Sequence, residues 1–275
     1  MMYIFYGDDT YAKTSADDKT PRLHLFGGVY ISKTSEDELI NIIRDEKSKY
    51  THPNLPIKWN FKDTSIKKKY EQFDRLDEYQ AMLVASNDWR RNIITKSLGL
   101  DYKIICGVAE SYSKEKDKIK KSKKDLLKYT FENVLIQVGF DAKNNKNETF
   151  VILDWPPDGD PQPFIKAFYK LYHTGTTSAD RPAYCGNLSD CNFYHSLLFA
   201  KCNHSPILQF SDLIIGSMKD FLESKLNGKE HHFANEIFDL YKGKIRSKNS
   251  NIINFGLILS SGNNELNDKI SKIVR

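Results

Sequence analysis

Apolar and polar stretches alternate along the chain in a way that predicts strands and helices interleaved from end to end. Residues 3–10 (YIFYGDDT) place four apolar or aromatic residues ahead of Gly7, Asp8 and Asp9, the pattern of a short buried strand closed by a turn signal. Residues 11–22 are polar and contain Pro21, which predicts a loop. Residues 23–32 (LHLFGGVYIS) predict a second strand, near enough to the first to pair with it antiparallel. Gly27 and Gly28 inside it point to a bulge or to another backbone approaching closely. A helix follows, capped by Thr34 or Ser35, with acids at 36–38 suited to the positive end of its dipole and Leu39, Ile42 and Ile43 as its apolar stripe.

Two prolines within 52–56 break the pattern, and 57–63 (IKWNFKD) fits neither period. Over 74–98 the spacing of Leu76, Tyr79, Leu83, Arg90 and Ile94 predicts one helix, ended by Gly99. Residues 102–109 read as a third strand with Glu110 at its tip. A long lysine-studded helix is expected over 114–139, its apolar face being Ile119, Leu126, Leu127, Phe131, Val134, Leu135 and Val138. After a polar turn at 143–148, residues 149–154 (TFVILD) form a continuous apolar run stopped by Trp155, Pro156 and Pro157. The pattern then gives a helix over 163–173, a loop over 174–189, a strand over 197–202, and a helix over 205–225 opened by a Ser205 cap with Pro206 at its first position. The tail holds a helix at 234–241, a strand at 252–259 and a helix at 265–274. This interleaving predicts an α/β fold with a mixed sheet: an antiparallel start, then parallel additions through helical crossovers.

Composition narrows the function classes. At 275 residues the chain can bury a sizeable core as one large domain or two small ones. No apolar run approaches the roughly eighteen residues that a membrane span needs. A signal peptide is not visible at the N-terminus, so a cytoplasmic protein without a membrane partner is expected. A zinc set from Cys185, Cys191, His195 and Cys202 competes with plain buried thiols; its spacing matches no familiar zinc motif, which favours the thiols. Net charge is +5, and residues 113–128 alone carry eight lysines against three acids, enough to supply the whole excess. Such a run is either a solvated helix face or a surface for phosphates.

Candidate chemistry rests on aspartates at element ends. Asp8 and Asp9 close the first strand and point to opposite faces if it continues through them. Asp154 ends a buried strand at the carboxyl edge of the sheet, where α/β proteins tend to bind ligands; a turn cap at a strand exit is its other reading. Asp212 has Leu208, Ile215 and Gly216 as helix neighbours, so its carboxylate points inward, either to this site or to a basic partner on another element. Gly216 weakens a helix interior, and close packing would explain its presence. Asp8, Asp154 and Asp212 together make an oxygen-only ligand set suited to Mg²⁺ or Mn²⁺. Two such ions about 3.5–4 Å apart activate a water and stabilise the leaving oxygen in many nucleases.

In this order the motifs resemble the proteins grouped as domain of unknown function 3800, which have a ribonuclease-H-like fold. The matching stretches are Gly7-Asp8-Asp9-Thr10, Phe26-Gly27-Gly28-Val29, Pro56-Ile57-Lys58-Trp59, Val151-Ile152-Leu153-Asp154 and Leu208-Gln209-Phe210-Ser211-Asp212. The resemblance spans roughly residues 3–224. It implies a ribonuclease-H-like domain over 1–225, with helical insertions, and a C-terminal extension over 226–275 packed on it. It further implies a metal-dependent nuclease acting on RNA or DNA, with Asp8, Asp154 and Asp212 holding Mg²⁺ or Mn²⁺, Lys58 contacting a phosphate oxygen and the lysine-rich helix tracking the backbone. Two departures stand out. Asp9 and Thr10 replace the Glu and Ser of the family's first motif, and Pro56 occupies the place of a family Glu. Either Glu110 or Asp9 fills that role as a metal ligand, or the site has lost a ligand. In the last case the chain is a catalytically degenerate nucleic-acid-binding or interaction module.

Overall fold

The computed structural model describes residues 1–10, 23–110, 116–156, 159–260 and 264–274, with backbone alone over 116–125 and 127–129. Among them, β1 (Met2–Asp9), β2 (Leu23–Ser32), β3 (Tyr102–Glu110), β4 (Glu148–Asp154), β5 (Phe193–Ala200) and β6 (Leu257–Leu259) form one sheet in the order β5-β4-β1-β2-β3-β6. β2 is antiparallel to both β1 and β3. The β1–β4, β4–β5 and β3–β6 pairs are parallel. Every strand but β2 therefore runs the same way, and the carboxyl ends of β1 and β4 lie side by side. The α/β class and the mixed sheet agree with the sequence pattern; the predicted loop at 11–22 lies outside the described residues.

Apolar runs on β1 and β2 are buried on both faces. Ile4 and Tyr6 join one core, Tyr3 and Phe5 the other, as the two-residue period of a strand requires. The second core is closed by α5 (Lys116–Asn145) and α6 (Gln162–Thr174), through residues such as Phe131, Leu135, Phe168 and Leu171. The first is closed by α1 (Lys33–Lys47), α4 (Ser86–Ser97), α7 (Pro206–Leu226), α8 (His232–Tyr241) and α9 (Asn264–Val274). Gly28 lets α7 and β1 meet over β2: a Cβ there would lie 1.9 Å from the Tyr6 carbonyl oxygen and 3.1 Å from Ser211 Oγ. Of the two readings of the glycine pair, close backbone approach is the one observed.

Several boundaries differ from the sequence pattern. The cap of α1 is Ser32, whose hydroxyl accepts from Ser35 N at 3.3 Å, rather than Thr34 or Ser35. The helix expected over 74–98 is two, α3 (Leu76–Val84) and α4, broken at Ala85. Ahead of them stands α2 (Thr64–Gln72), which the pattern missed; Asp63 caps it and only Ile66 and Tyr70 are buried, too short a stripe to register. Phe61, Tyr70, Tyr79 and Trp89 pack, mostly edge to face, into one aromatic cluster that fixes this insertion and the 57–63 segment against it. Gly139 does not end α5; it is a contact point, since a Cβ there would lie 3.0 Å from Cys185 Sγ, and the helix runs on to Asn145. Side chains of Ile119 and Leu127 lie outside the described residues, whereas Phe131, Val134, Leu135 and Val138 are buried as expected. The strand placed at 197–202 sits earlier, at Phe193–Ala200, which leaves Cys202 in a short 3-10 turn, Cys202–His204. The tail is woven in rather than laid on: β6 pairs with β3, and Arg246 N donates to Ile104 O at 3.0 Å. No helix among the described residues is long and apolar enough to cross a membrane.

Candidate metal centre at the carboxyl edge of the sheet

Strand register makes the first half of the site. Gly7 pairs with Leu153 across β1 and β4, so the next residues, Asp8 and Asp154, stand beside each other at the strand ends. Both lie on the face that carries Ile4, Tyr6 and Ile152, the face covered by α7. α7 brings Asp212 over that edge, held to β1 by Ser211 Oγ, which donates to Tyr6 O at 3.0 Å. Asp8 and Asp154 therefore stand side by side, and Asp212 comes near enough for its charge to raise Asp8 while lying outside the group of ligand atoms within 4.8 Å of one another.

Each carboxylate is tethered by backbone N–H groups. Asp8 Oδ1 accepts from Asp9 N at 2.7 Å. Asp154 Oδ1 accepts from Cys202 N at 2.7 Å and from Trp155 N at 2.9 Å. Asp212 Oδ2 accepts from Trp59 N at 2.6 Å. One ligand atom each from Asp8, Asp154 and Cys202 lies within 4.8 Å of the other two.

Their fields compress one another. Burial, then Asp212, Asp154 and Asp9, push the Asp8 carboxyl well above the usual carboxylate range. Burial raises Asp154 too, against the backbone bonds from Cys202 and Trp155 and the Lys58 charge. For Asp212 burial and Asp154 raise, while Lys58, Trp59 N and Arg90 pull down; the net shift is upward. Lys58 sits inside this group: burial works against its charge, but Asp212, Cys202, Asp8 and Asp63 hold its ammonium above the ordinary lysine value. The Arg90 guanidinium, 7% exposed, is lowered to about 10 by burial, with Asp212 and Asp220 opposing. None of the three aspartates forms an ion pair with Lys58, Arg90 or any other described residue within 4.0 Å. Fully ionised, three carboxylates against two cations would leave one negative charge in excess, a state that is costly when buried and that either a proton on the cluster or a further cation relieves.

The other candidate residues divide. Asp9 lies on the opposite side of the strand, adds to the field on Asp8 and lines the adjoining cavity. Glu110 does not join the cluster: Asp8 pairs with Gly27 and Gly27 with Cys106, so Glu110 is two strands across and four residues farther along. The zinc alternative also dissolves, because Cys185 and Cys191 pack in the core on the far side of the sheet from Cys202. Lysine side chains of 116–125 lie outside the described residues.

Several residues of the site were not singled out from sequence. Gln209 ties three segments together: its Oε1 accepts from Ile57 N at 3.3 Å and Lys47 Nζ at 3.4 Å, and its Nε2 donates to Cys202 O at 3.0 Å. A polar residue on the apolar face of α7 was its signal. Arg90, a charge inside an apolar stripe, holds the Lys58–Trp59 turn by donating from Nη2 to Trp59 O. Trp59 stacks on Phe233 at 5.6 Å and donates through Nε1 to Asp220 at 2.6 Å. Gly216 leaves it room, since a Cβ there would come within 2.6 Å of the Trp59 side chain. A cavity of about 590 Å³ opens beside Asp212, lined among others by Lys58, Trp59, Arg90 and Lys219.

Comparison with protein-family models, with curated proteins and with solved structures finds no match to this chain.

Proposed function

We propose that the protein is a divalent-metal-dependent nuclease that hydrolyses phosphodiester bonds of RNA or DNA, and that its sheet is of the ribonuclease-H-like kind expected for the domain of unknown function 3800 proteins. The observation that carries this reading is the juxtaposition of Asp8 and Asp154, with Asp212 near enough to raise Asp8, in a buried acidic cluster without an ion pair among the described residues. The donor set would fit hard divalent ions, Mg²⁺ or Mn²⁺, with Asp8, Asp154 and Asp212 as the residues that would hold them. Bound there, such ions supply an activated water and charge stabilisation at the leaving oxygen.

The chain's own side chains do the rest. Lys58, held cationic beside Asp212, is assigned to a non-bridging phosphate oxygen. Trp59 N and Arg90 fix the turn that presents it. The 590 Å³ cavity falls in the size range of ligand pockets, and we assign it to the substrate segment next to the scissile phosphate. The lysine-rich stretch 113–128 is our candidate for further backbone contacts.

A second reading, a degenerate binding module, is favoured by two observations: Lys58 already places a positive charge among the aspartates, and Pro56 stands where the family has Glu. Incubating the purified chain with end-labelled RNA, DNA and hybrid duplex in Mg²⁺ or Mn²⁺ separates the two. Cleavage abolished in Asp154→Asn and by chelator supports the nuclease. Nucleic-acid binding with no metal-dependent cleavage supports the module.

A further inference from the structure

The four cysteines are free and buried, but they are not alike. Sγ of Cys106, Cys185 and Cys191 each reaches a carbonyl oxygen, at 3.6, 3.5 and 3.5 Å. Cys202 Sγ makes no hydrogen bond among the described residues. It is 4% exposed and faces Asp8 and Asp154 inside the 4.8 Å group. Its own backbone N–H holds Asp154 Oδ1, so sulfur and carboxylate are positioned as one unit, and Gln209 fixes the turn from the other side through Cys202 O. Asp8, 7% exposed and with no ion pair among the described residues, is aimed at the same spot.

We propose that Cys202 is a metal ligand of this centre, and that Asp8, Asp154 and Cys202 give it a mixed carboxylate–thiolate donor set that takes Zn²⁺ or Co²⁺ in addition to the hard ions. The proposal rests on the carboxylate centre described above and deepens it. In a tetrahedral site, metal–sulfur bonds of about 2.3 Å and metal–oxygen bonds of about 2.0–2.2 Å put sulfur and oxygen about 3.6 Å apart, so ligand atoms within 4.8 Å of one another would have to draw in by up to roughly 1 Å. Three protein ligands with a position left open is also the donor count of catalytic zinc sites. Thiolate selects for softer ions; with Mg²⁺ the sulfur stays a protonated bystander. On binding Zn²⁺ or Co²⁺ the sulfur–metal bond would form as the thiol proton, together with any proton still held by the carboxylate ligands, passes to solvent.

The test is spectroscopic. Full-length protein, stripped with chelator, is titrated with Co²⁺ and, in a separate arm, with Mn²⁺ followed by its paramagnetic resonance signal. A thiolate-to-Co²⁺ charge-transfer band saturating near one equivalent is expected. It should persist when Cys185 and Cys191 are both changed to Ser and vanish in Cys202→Ser. Zn²⁺ affinity should fall at least roughly tenfold in Cys202→Ser, since even outer partners of a ligand are worth that much, while Mn²⁺ affinity holds within about threefold. Circular dichroism checks that the variants fold; the wild-type band needs no variant. Co²⁺ binding without the band, or a band that survives Cys202→Ser, overturns the assignment of Cys202. If Mn²⁺ still binds, the carboxylate centre stands without it; loss of Co²⁺ and Mn²⁺ binding together overturns both.

Discussion

Replacing Asp8 with Asn should make the metal-stripped protein more stable, the reverse of what a change at a 7% exposed polar residue usually does. The amide keeps the shape and the carbonyl oxygen that accepts from Asp9 N, and removes one charge from a cluster that holds three. At an effective dielectric near 20, two unit charges at 4.8 Å, the outer limit for the nearest Asp8 and Asp154 oxygens, repel by roughly 3–4 kcal/mol. Lys58 and Arg90 offset part of this, and proton uptake caps it, so a gain of about 1–2 kcal/mol at pH 8 is expected. For a chain of this size that is a rise of roughly 2–8 °C in Tm. The pH dependence follows from linkage. Burial and the neighbouring Asp212 and Asp154 raise the Asp8 carboxyl, so the folded state holds its proton more tightly than the unfolded chain does. Stability of the stripped wild type therefore falls as pH rises from the ordinary carboxylate range through the raised folded value, and Asp8→Asn removes this residue's share of that slope. Differential scanning calorimetry of both proteins in chelator from pH 4 to about 9 reads the effect. Adding Mn²⁺ should reverse the ranking, since an ion at 100 times its Kd stabilises by about 2.7 kcal/mol and the variant has lost a ligand. A folded Asp8→Asn that melts below wild type in chelator would refute the mutual repulsion.

Other consequences can be checked alongside. Asp154→Ala strands the N–H groups of Cys202 and Trp155 and should cost about 1–3 kcal/mol in urea unfolding, whereas Asp154→Asn keeps an acceptor and loses less; equal losses would show that these bonds are idle. Gly216→Ala must displace Trp59 and with it the N–H on Asp212, so Mn²⁺ affinity should drop although the residue touches no ligand; unchanged affinity and Trp fluorescence would contradict the packing. Lys47, 2% exposed, is lowered to about 7 by burial, so the folded state gives up its proton before the unfolded chain does. Its penalty is complete below pH 7 and fades as pH rises toward the ordinary lysine value, and Lys47→Met should raise Tm at pH 6 and flatten that rise; a lower Tm for a folded Lys47→Met at pH 6 would count against it.

How much of this was legible depends on the range of the interaction. β2 and β4 declare themselves within a residue at each end because their apolar runs are bounded by turn residues, and α7 does so through its Ser205 cap and Pro206. That Asp212 faces inward was readable from its helix neighbours, whereas the pattern left open which of Asp8 and Asp9 serves the site and whether Asp154 is a ligand or a turn cap. The approach of Asp8 and Asp154 to each other was not readable, because it depends on β4 pairing with β1 and not on any local signal. The same gap explains Glu110: a strand tip looks identical in sequence whether its strand lies beside β1 or, as β3 does, one strand removed. Cys202 was grouped with Cys185, Cys191 and His195 instead of with the aspartates, since reading it as strand concealed the turn that aims it at Asp154. Arg90 and Gln209 were visible as polar residues in apolar stripes, but their carbonyl and amide partners are tertiary.

The interlocking of the tail with the sheet has a practical meaning for anyone trimming the chain. Cutting after Leu226 would take away Phe233, the stacking partner of Trp59, along with the outermost strand and the Arg246 side chain that reaches Asp141 and Gln137. Such a truncation bares the back of the turn that carries Lys58, so a shortened protein that fails to act would say nothing about the aspartates themselves.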